Sequence, residues 1–183
     1  MNHSIRVAAA IVGCLAGMAP GAAAQSLQKF SLQASGATLF ATTKDPIYDS
    51  KTRLGFEGQA RYTFGRWSVG AGYQRSTVFA FKNFPESLAL SLGFVEPRFV
   101  VHAGGGVAFY LAGRLGIGKL ICSQSTSCAP KKTNASYGGG GGGGLLFRLS
   151  QRLSADLGGQ YFQVSGNLTS GYAMVRAGLG IGL

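Results

Sequence analysis

Arg176-Ala177-Gly178-Leu179-Gly180-Ile181-Gly182-Leu183 is the stretch whose reading decides the rest. Extended back to Met174, it separates at period two. Val175, Ala177, Leu179, Ile181 and Leu183 fall on one side; Met174, Arg176, Gly178, Gly180 and Gly182 fall on the other. Successive side chains of a strand point to opposite faces, so this is a strand with one apolar face and one that is mostly small or charged.

The same alternation recurs along the chain. From Arg53 to Phe64, Leu54, Phe56, Gly58, Ala60, Tyr62 and Phe64 oppose Arg53, Gly55, Glu57, Gln59, Arg61 and Thr63. After Gly65-Arg66, Trp67, Val69, Ala71 and Tyr73 oppose Ser68, Gly70, Gly72 and Gln74. Two such runs joined by two residues predict a hairpin, with Glu57 opposite Gln74 and Arg61 opposite Gly70. Phe30, Leu32 and Ala34 mark an earlier strand. Leu88, Leu90, Leu92 and Phe94 open a fourth, after which Val95, Pro97 and Phe99 take over the apolar phase against Glu96 and Arg98. A phase slip beside a proline predicts a β-bulge there. Val107, Phe109, Leu111, Leu115 and Ile117, against Tyr110, Arg114, Gly116 and Gly118, make the fifth. Leu145, Phe147 and Leu149, against Arg148 and Ser150, end the sixth, and Leu153, Ala155, Leu157 and Tyr161, against Ser154, Asp156 and Gln160, form the seventh. Short links at Gly65-Arg66, around His102 to Gly106 and at Ser150 to Arg152 alternate with longer ones at Thr43 to Thr52, Lys82 to Ser87 and Ile121 to Ser136. The link from Asn167 to Ser170 breaks the rule by being short.

The start of the chain predicts export. Arg6, the apolar stretch Val7 to Met18 and the small residues Ala22-Ala23-Ala24 before Gln25 have the layout of a signal peptide cut between Ala24 and Gln25. That leaves one domain over residues 25–183. Ile11-Val12-Gly13-Cys14 offers a competing lipoprotein cleavage box, in which acyl chains on Cys14 would be the anchor. Thirty glycines and 13% charged residues favour strands and turns over helical bundles. A formal charge of +11 commonly signals nucleic acid or an anionic surface. An exported chain meets no nucleic acid in normal duty, so lipid phosphate is the partner expected, with Lys131 and Lys132 placed to meet it. Cys122 and Cys128 would meet an oxidising compartment and are expected to pair.

Alternation does not say which face is inside, and a soluble ligand-binding barrel alternates too. Three features favour apolar faces turned to lipid. They persist for about ten residues, the length of a tilted transmembrane strand. The opposite faces carry small residues and a few long charges, as a narrow interior requires. Tyr62, Phe64 and Trp67 crowd one short turn and Phe147 lies near another, as an interfacial girdle would. On these residues the chain resembles the small eight-stranded outer-membrane barrels of OmpA and OmpX type, over essentially all of Gln25 to Leu183. The terminal strand resembles their C-terminal assembly signal at Arg176, Gly178, Ile181 and Leu183, although Leu183 stands where Phe or Trp is usual. The resemblance implies an antiparallel up-and-down transmembrane barrel, handled by the barrel assembly machinery. It further implies a monomer bathed in outer-membrane lipid, including lipopolysaccharide phosphates.

Function follows less directly. The leading expectation is a non-enzymatic barrel serving envelope integrity or surface contact, with no cofactor and no metal. Its lumen would be plugged by Glu57, Arg61, Glu96, Arg98, Arg114, Arg148, Asp156 and Arg176, with Glu57 supporting Arg61. The alternatives are a soluble ligand-binding barrel and a lipid A-modifying barrel enzyme. His102 is the sole histidine after the leader and falls near an inner turn, an awkward place for a general base. The seven glycines Gly138 to Gly144 lack the Lys-Ser/Thr of a phosphate loop and are expected to be a flexible or closely approached part of the sixth strand. Gly113 and Gly118-Lys119 have similar loop spacing, but Leu120 replaces the required hydroxyl residue. Asn134-Ala135-Ser136 and Asn167-Leu168-Thr169 are glycosylation triplets of little meaning in a bacterial context.

Overall fold

The computed structural model describes residues 29–42, 53–80, 87–122, 135–165 and 170–183. Ala24 and Gln25, Cys14, Cys128 with its expected partner bond, and Lys131 and Lys132 lie outside them. The elements are β1 (Phe30–Ala41), β2 (Arg53–Phe64), β3 (Trp67–Ala80), β4 (Ser87–Gly104), β5 (Val107–Cys122), β6 (Ser136–Arg148), β7 (Leu153–Ser165) and β8 (Ser170–Gly182). Each strand pairs antiparallel with its sequence neighbours, and β8 closes on β1. Closure leaves no unpaired strand edge.

The β2–β3 hairpin has the expected register, with Glu57 opposite Gln74 and Arg61 opposite Gly70. Its turn works because Gly65 takes a left-handed backbone (φ 62°), as do Gly105 and Gly106 in the β4–β5 turn. β4 runs to Gly104, so His102 belongs to the strand and not to the turn.

The barrel is apolar outside and charged inside. Leu54, Leu115 and Ile117 are 76%, 69% and 65% exposed, and Tyr62, Phe64, Trp67, Leu179, Ile181 and Leu183 are also on the outer surface. Trp67 packs on Phe99 at the short-turn rim, ring centroids 4.9 Å apart. Arg114 and Arg176, in contrast, are each 1% exposed.

β4 departs from expectation. Phe94 and Val95 pair in unbroken register with Gly72 and Ala71 on one side and with Gly116 and Leu115 on the other, so no bulge lies between them. The irregularities fall instead between Thr77 and Phe79 of β3 and between Val100 and His102 of β4. With the phase unbroken, Leu90, Leu92 and Phe94 share the inward face with Glu96 and Arg98, and all five are buried. The outward positions there are Ala89, Ser91 and Gly93. The apolar run marks an inner core, built with Ala37, Leu39, Phe162, Val164, Tyr172 and Met174 toward the long-link end. Burying aliphatic and aromatic groups there needs no partners, unlike the charges deeper in the lumen.

The glycine run forms a continuous strand, with Gly138 to Gly144 paired throughout to β5 and β7. Its inward members leave space. A Cβ on Gly138 would strike the Phe162 ring, one on Gly142 the Gln160 side chain and one on Gly144 the Tyr110 hydroxyl, and each would also collide with a β7 carbonyl. β6 thus withholds side chains from the part of the lumen that its neighbours fill. The outward Gly141 is different, because a Cβ there would sit 3.5 Å from the Ala112 carbonyl, an ordinary contact. Gly142→Ala is therefore expected to destabilise the barrel by about 1–3 kcal/mol through overpacking, and Gly141→Ala to cost less. Urea unfolding followed by the fluorescence of Trp67, the single tryptophan, measures both.

Candidate functional site: the interior charge cluster

The inward positions of five strands converge on one carboxylate. Glu96 of β4 is 0% exposed, and no water can replace a partner it lacks. Its Oε1 accepts from Arg98 Nε at 2.7 Å, Arg61 Nη2 at 2.9 Å and Arg176 Nη2 at 3.0 Å. Its Oε2 accepts from Arg114 through Nε at 2.8 Å and Nη2, from Arg176 Nη1 at 2.8 Å and from Gln160 Nε2 at 2.8 Å. Charge-assisted bonds of this kind are the strong ones, and guanidinium's planar set of donors lets each arginine serve several acceptors.

Two further acids complete the layer. Glu57 accepts from Arg114 Nη1 at 2.9 Å and from Arg176 Nη1 at 3.0 Å. Asp156 accepts from Arg98 Nη1 at 2.6 Å and from the Tyr110 hydroxyl at 2.9 Å, with Arg176 Nε at 3.5 Å. Amides and hydroxyls extend the network to the remaining neighbours. Gln74 accepts from Arg114, Ser68 accepts from Arg61, and Gln59 accepts from Arg61 while donating to Gln33 of β1. Aromatic faces take up other guanidinium surfaces, Arg114 lying 3.8 Å from the Phe94 ring centroid and Arg98 4.3 Å from that of Tyr110.

The spaces for these long side chains are made by inward glycines. A Cβ at Gly70 would meet Gln59 and Arg61, and one at Gly158 would meet Tyr110 and Arg176. Gly70 lies opposite Arg61 and Gly158 opposite Arg176, so these long side chains fit in a lumen only wide enough for side chains.

Of the eight residues expected in the lumen network, Glu57, Arg61, Glu96, Arg98, Arg114, Asp156 and Arg176 meet here. Arg148 does not. It is exposed beyond the cluster at the short-turn end, where Nε donates to the Ser150 carbonyl at 3.3 Å. The reason is position: Arg148 is the last residue of β6, and its inward phase carries it to the mouth. The expected dependence of Arg61 on Glu57 also fails, because Arg61 pairs with Glu96 while Glu57 holds Arg114 and Arg176. Alternation gives the face of a residue but not its height along a tilted strand, and height decides these partners. Tyr110, Gln160 and Gln74 were readable as inward, but nothing in their spacing announced a role in the cluster. The four residues resembling the C-terminal signal divide between faces: Arg176 is buried, Gly178 abuts Ser35, and Ile181 and Leu183 lie outside.

No metal centre is apparent, since no group of three or more His, Cys, Asp or Glu is gathered among the described residues. His102 is half-buried near the short turns.

No family model matches the sequence, and no curated protein matches it. Solved structures do match the fold. Neisserial surface protein A aligns with a TM-score of 0.70 at 17% identity, over 85% of this chain and 97% of its own. Ail, the attachment invasion locus protein of Yersinia pestis, aligns at 0.58 with 18% identity, over 85% and 99%. The outer membrane protein OprG of Pseudomonas aeruginosa aligns at 0.54 with 14% identity, over 88% and 100%. At such identities the likeness establishes a shared eight-stranded fold.

The cluster should be unequal in its parts. Glu96→Gln removes the charge that four arginines share and is expected to cost about 3–5 kcal/mol, the usual effect of stranding buried partners. Glu57→Gln leaves Arg114 and Arg176 still bonded to Glu96 and should cost clearly less. Urea midpoints of the two folded variants decide the order; a more damaging Glu57→Gln would mean that Glu96 is not the hub.

Proposed function

We propose that the chain is an integral barrel of the bacterial outer membrane, non-enzymatic, with its lumen closed by side chains. The observation that carries this reading is the inversion of the barrel: apolar belt outside, four arginines and three acids inside. A soluble barrel would gain nothing by presenting so broad an apolar surface to water. In lipid the arrangement is natural, because closure satisfies the backbone and the belt replaces no hydration. Aromatics near the short turns (Tyr62, Phe64, Trp67, Phe99) and others toward the long links (Phe40, Phe56, Tyr137, Tyr161) suit the two interfaces. The structural neighbours, among them a surface protein and an outer membrane protein, support the same setting.

Within that setting the task proposed is envelope integrity or contact at the surface, by a monomer surrounded by lipid and lipopolysaccharide phosphates and inserted by the barrel assembly machinery. An enzyme on this scaffold is disfavoured by the position of His102, apart from the carboxylates of the cluster. Purified protein assayed on lipid A should leave its acyl chains unchanged.

Two measurements test the reading. The protein should fractionate with outer membranes, require detergent for extraction and migrate differently on gels before and after heating. In planar bilayers it should give no steady, large single-channel current, and such a current would refute the closed lumen. The terminal strand offers a finer test. Leu183→Asp places a charge on the apolar belt and should lower outer-membrane levels, while Leu183→Phe should be neutral or better; normal levels of the aspartate variant would argue against a C-terminal assembly signal.

A further inference from the structure

A cavity of about 150 Å³ opens at the short-turn end, on the side of the charge cluster opposite the apolar core. Five arginines line it, namely Arg61, Arg66, Arg98, Arg148 and Arg152, and no Asp or Glu is among the described residues that do. Arg66 is turned aside, donating to the Val101 carbonyl at 3.1 Å on the outer surface. The other four form two tiers. Arg148 and Arg152 are exposed, while the side chains of Arg61 and Arg98 are 7% and 4% exposed.

The lower tier carries unused donors. Arg61 Nε and Arg98 Nη2 are buried and have no hydrogen-bond partner, although the other nitrogens of both groups are engaged. Neither atom is open to the cavity, so this tier acts on a ligand through the charge of its two guanidinium groups, which lies beneath the exposed Arg148 and Arg152. The cluster behind them holds four arginines against three acids among the described residues, so its field toward the cavity is positive. Hydroxyls of Ser31 and Thr63 add neutral donors to the same wall. Several donors around a small volume suit an anion with several acceptor oxygens better than a halide.

We propose that this cavity binds one phosphate-class oxyanion, presented either free or as a lipid headgroup. Water could occupy part of the space, but it cannot neutralise the surplus charge. The inference is independent of the closed-lumen reading, since it concerns the mouth and not conduction through the centre.

The test is calorimetric titration of the folded barrel in phosphate-free maltoside micelles, at ionic strength fixed with chloride. The probes are inorganic phosphate and, separately, dihexanoyl phosphatidic acid. Saturable binding of one equivalent per barrel is expected. Saturation by phosphate assigns a free ligand, and saturation by the phosphatidic acid alone assigns a headgroup. The doubly substituted Arg148→Gln, Arg152→Gln protein should bind about tenfold more weakly, with its Trp67-monitored unfolding unchanged because both side chains are exposed. Absence of saturable binding by both probes overturns the proposal. So does undiminished affinity in the rim variant, which would place the anion elsewhere on this basic chain.

Discussion

One carboxylate, that of Glu96, holds the interior together. An eight-stranded barrel closes around a space that only side chains can fill, and the sequence fills its middle with arginines. Four guanidinium groups in so small a volume repel one another strongly at low dielectric. Glu96 offsets this by lying between them, bonded to Arg61, Arg98, Arg114 and Arg176 at once. Glu57 and Asp156 then bind arginines that Glu96 already holds, so the three acids share their partners rather than dividing them. Such sharing ties β2, β4, β5, β7 and β8 across the lumen. Buried ion pairs are weak evidence for stability compared with apolar packing, but removing a single partner from one is severe. The cluster therefore acts as a lock on register: a one-residue slip of any participating strand would turn its charge out onto the apolar surface.

Bulk is distributed to match. The strands that carry the long charges face strands that carry glycine, and β6 supplies no inward side chain at all between Gly138 and Gly144. The space it vacates is filled by Tyr110, Gln160 and Phe162 from its neighbours. A glycine run ordinarily weakens a strand by its entropy and its lack of packing. Here it is paired on both sides along its length, and the neighbours' side chains supply the packing that it lacks.

The sequence made the strands legible where one face is apolar and the other is not. β2 and the register of the β2–β3 hairpin are legible to the residue, and the faces of the terminal strand are legible too, because these runs satisfy the alternation without exception. β4 could not, since both its faces carry apolar residues at different heights. Leu90, Leu92 and Phe94 look like a lipid-facing run until Glu96 and Arg98 are noticed to share their phase. Holding that phase through Pro97 would have put all five inside without a bulge. The lumen charges were recognisable by face, but their partners depend on the stagger between strands, which alternation does not encode. For that reason the alternation alone groups Arg148 with residues it does not meet and pairs Glu57 with Arg61.

Along its axis the lumen changes character twice, and the order has consequences. Toward the long links Leu39, Leu90, Leu92, Phe162 and Met174 form a buried apolar core. The charge layer is covered by that core on one side and faces the cavity at the short turns on the other. An ion crossing from the long-link end would first have to displace packed apolar side chains and then part a network held from five strands. On the reading proposed above, an anion entering from the other end would meet Arg148 and Arg152, then the charge of Arg61 and Arg98, with the rest of the cluster behind them. The two ends are thus unlike in kind: one is apolar, the other basic. The asymmetry follows from where the single surplus positive charge of the cluster can be hydrated, and that is the short-turn mouth.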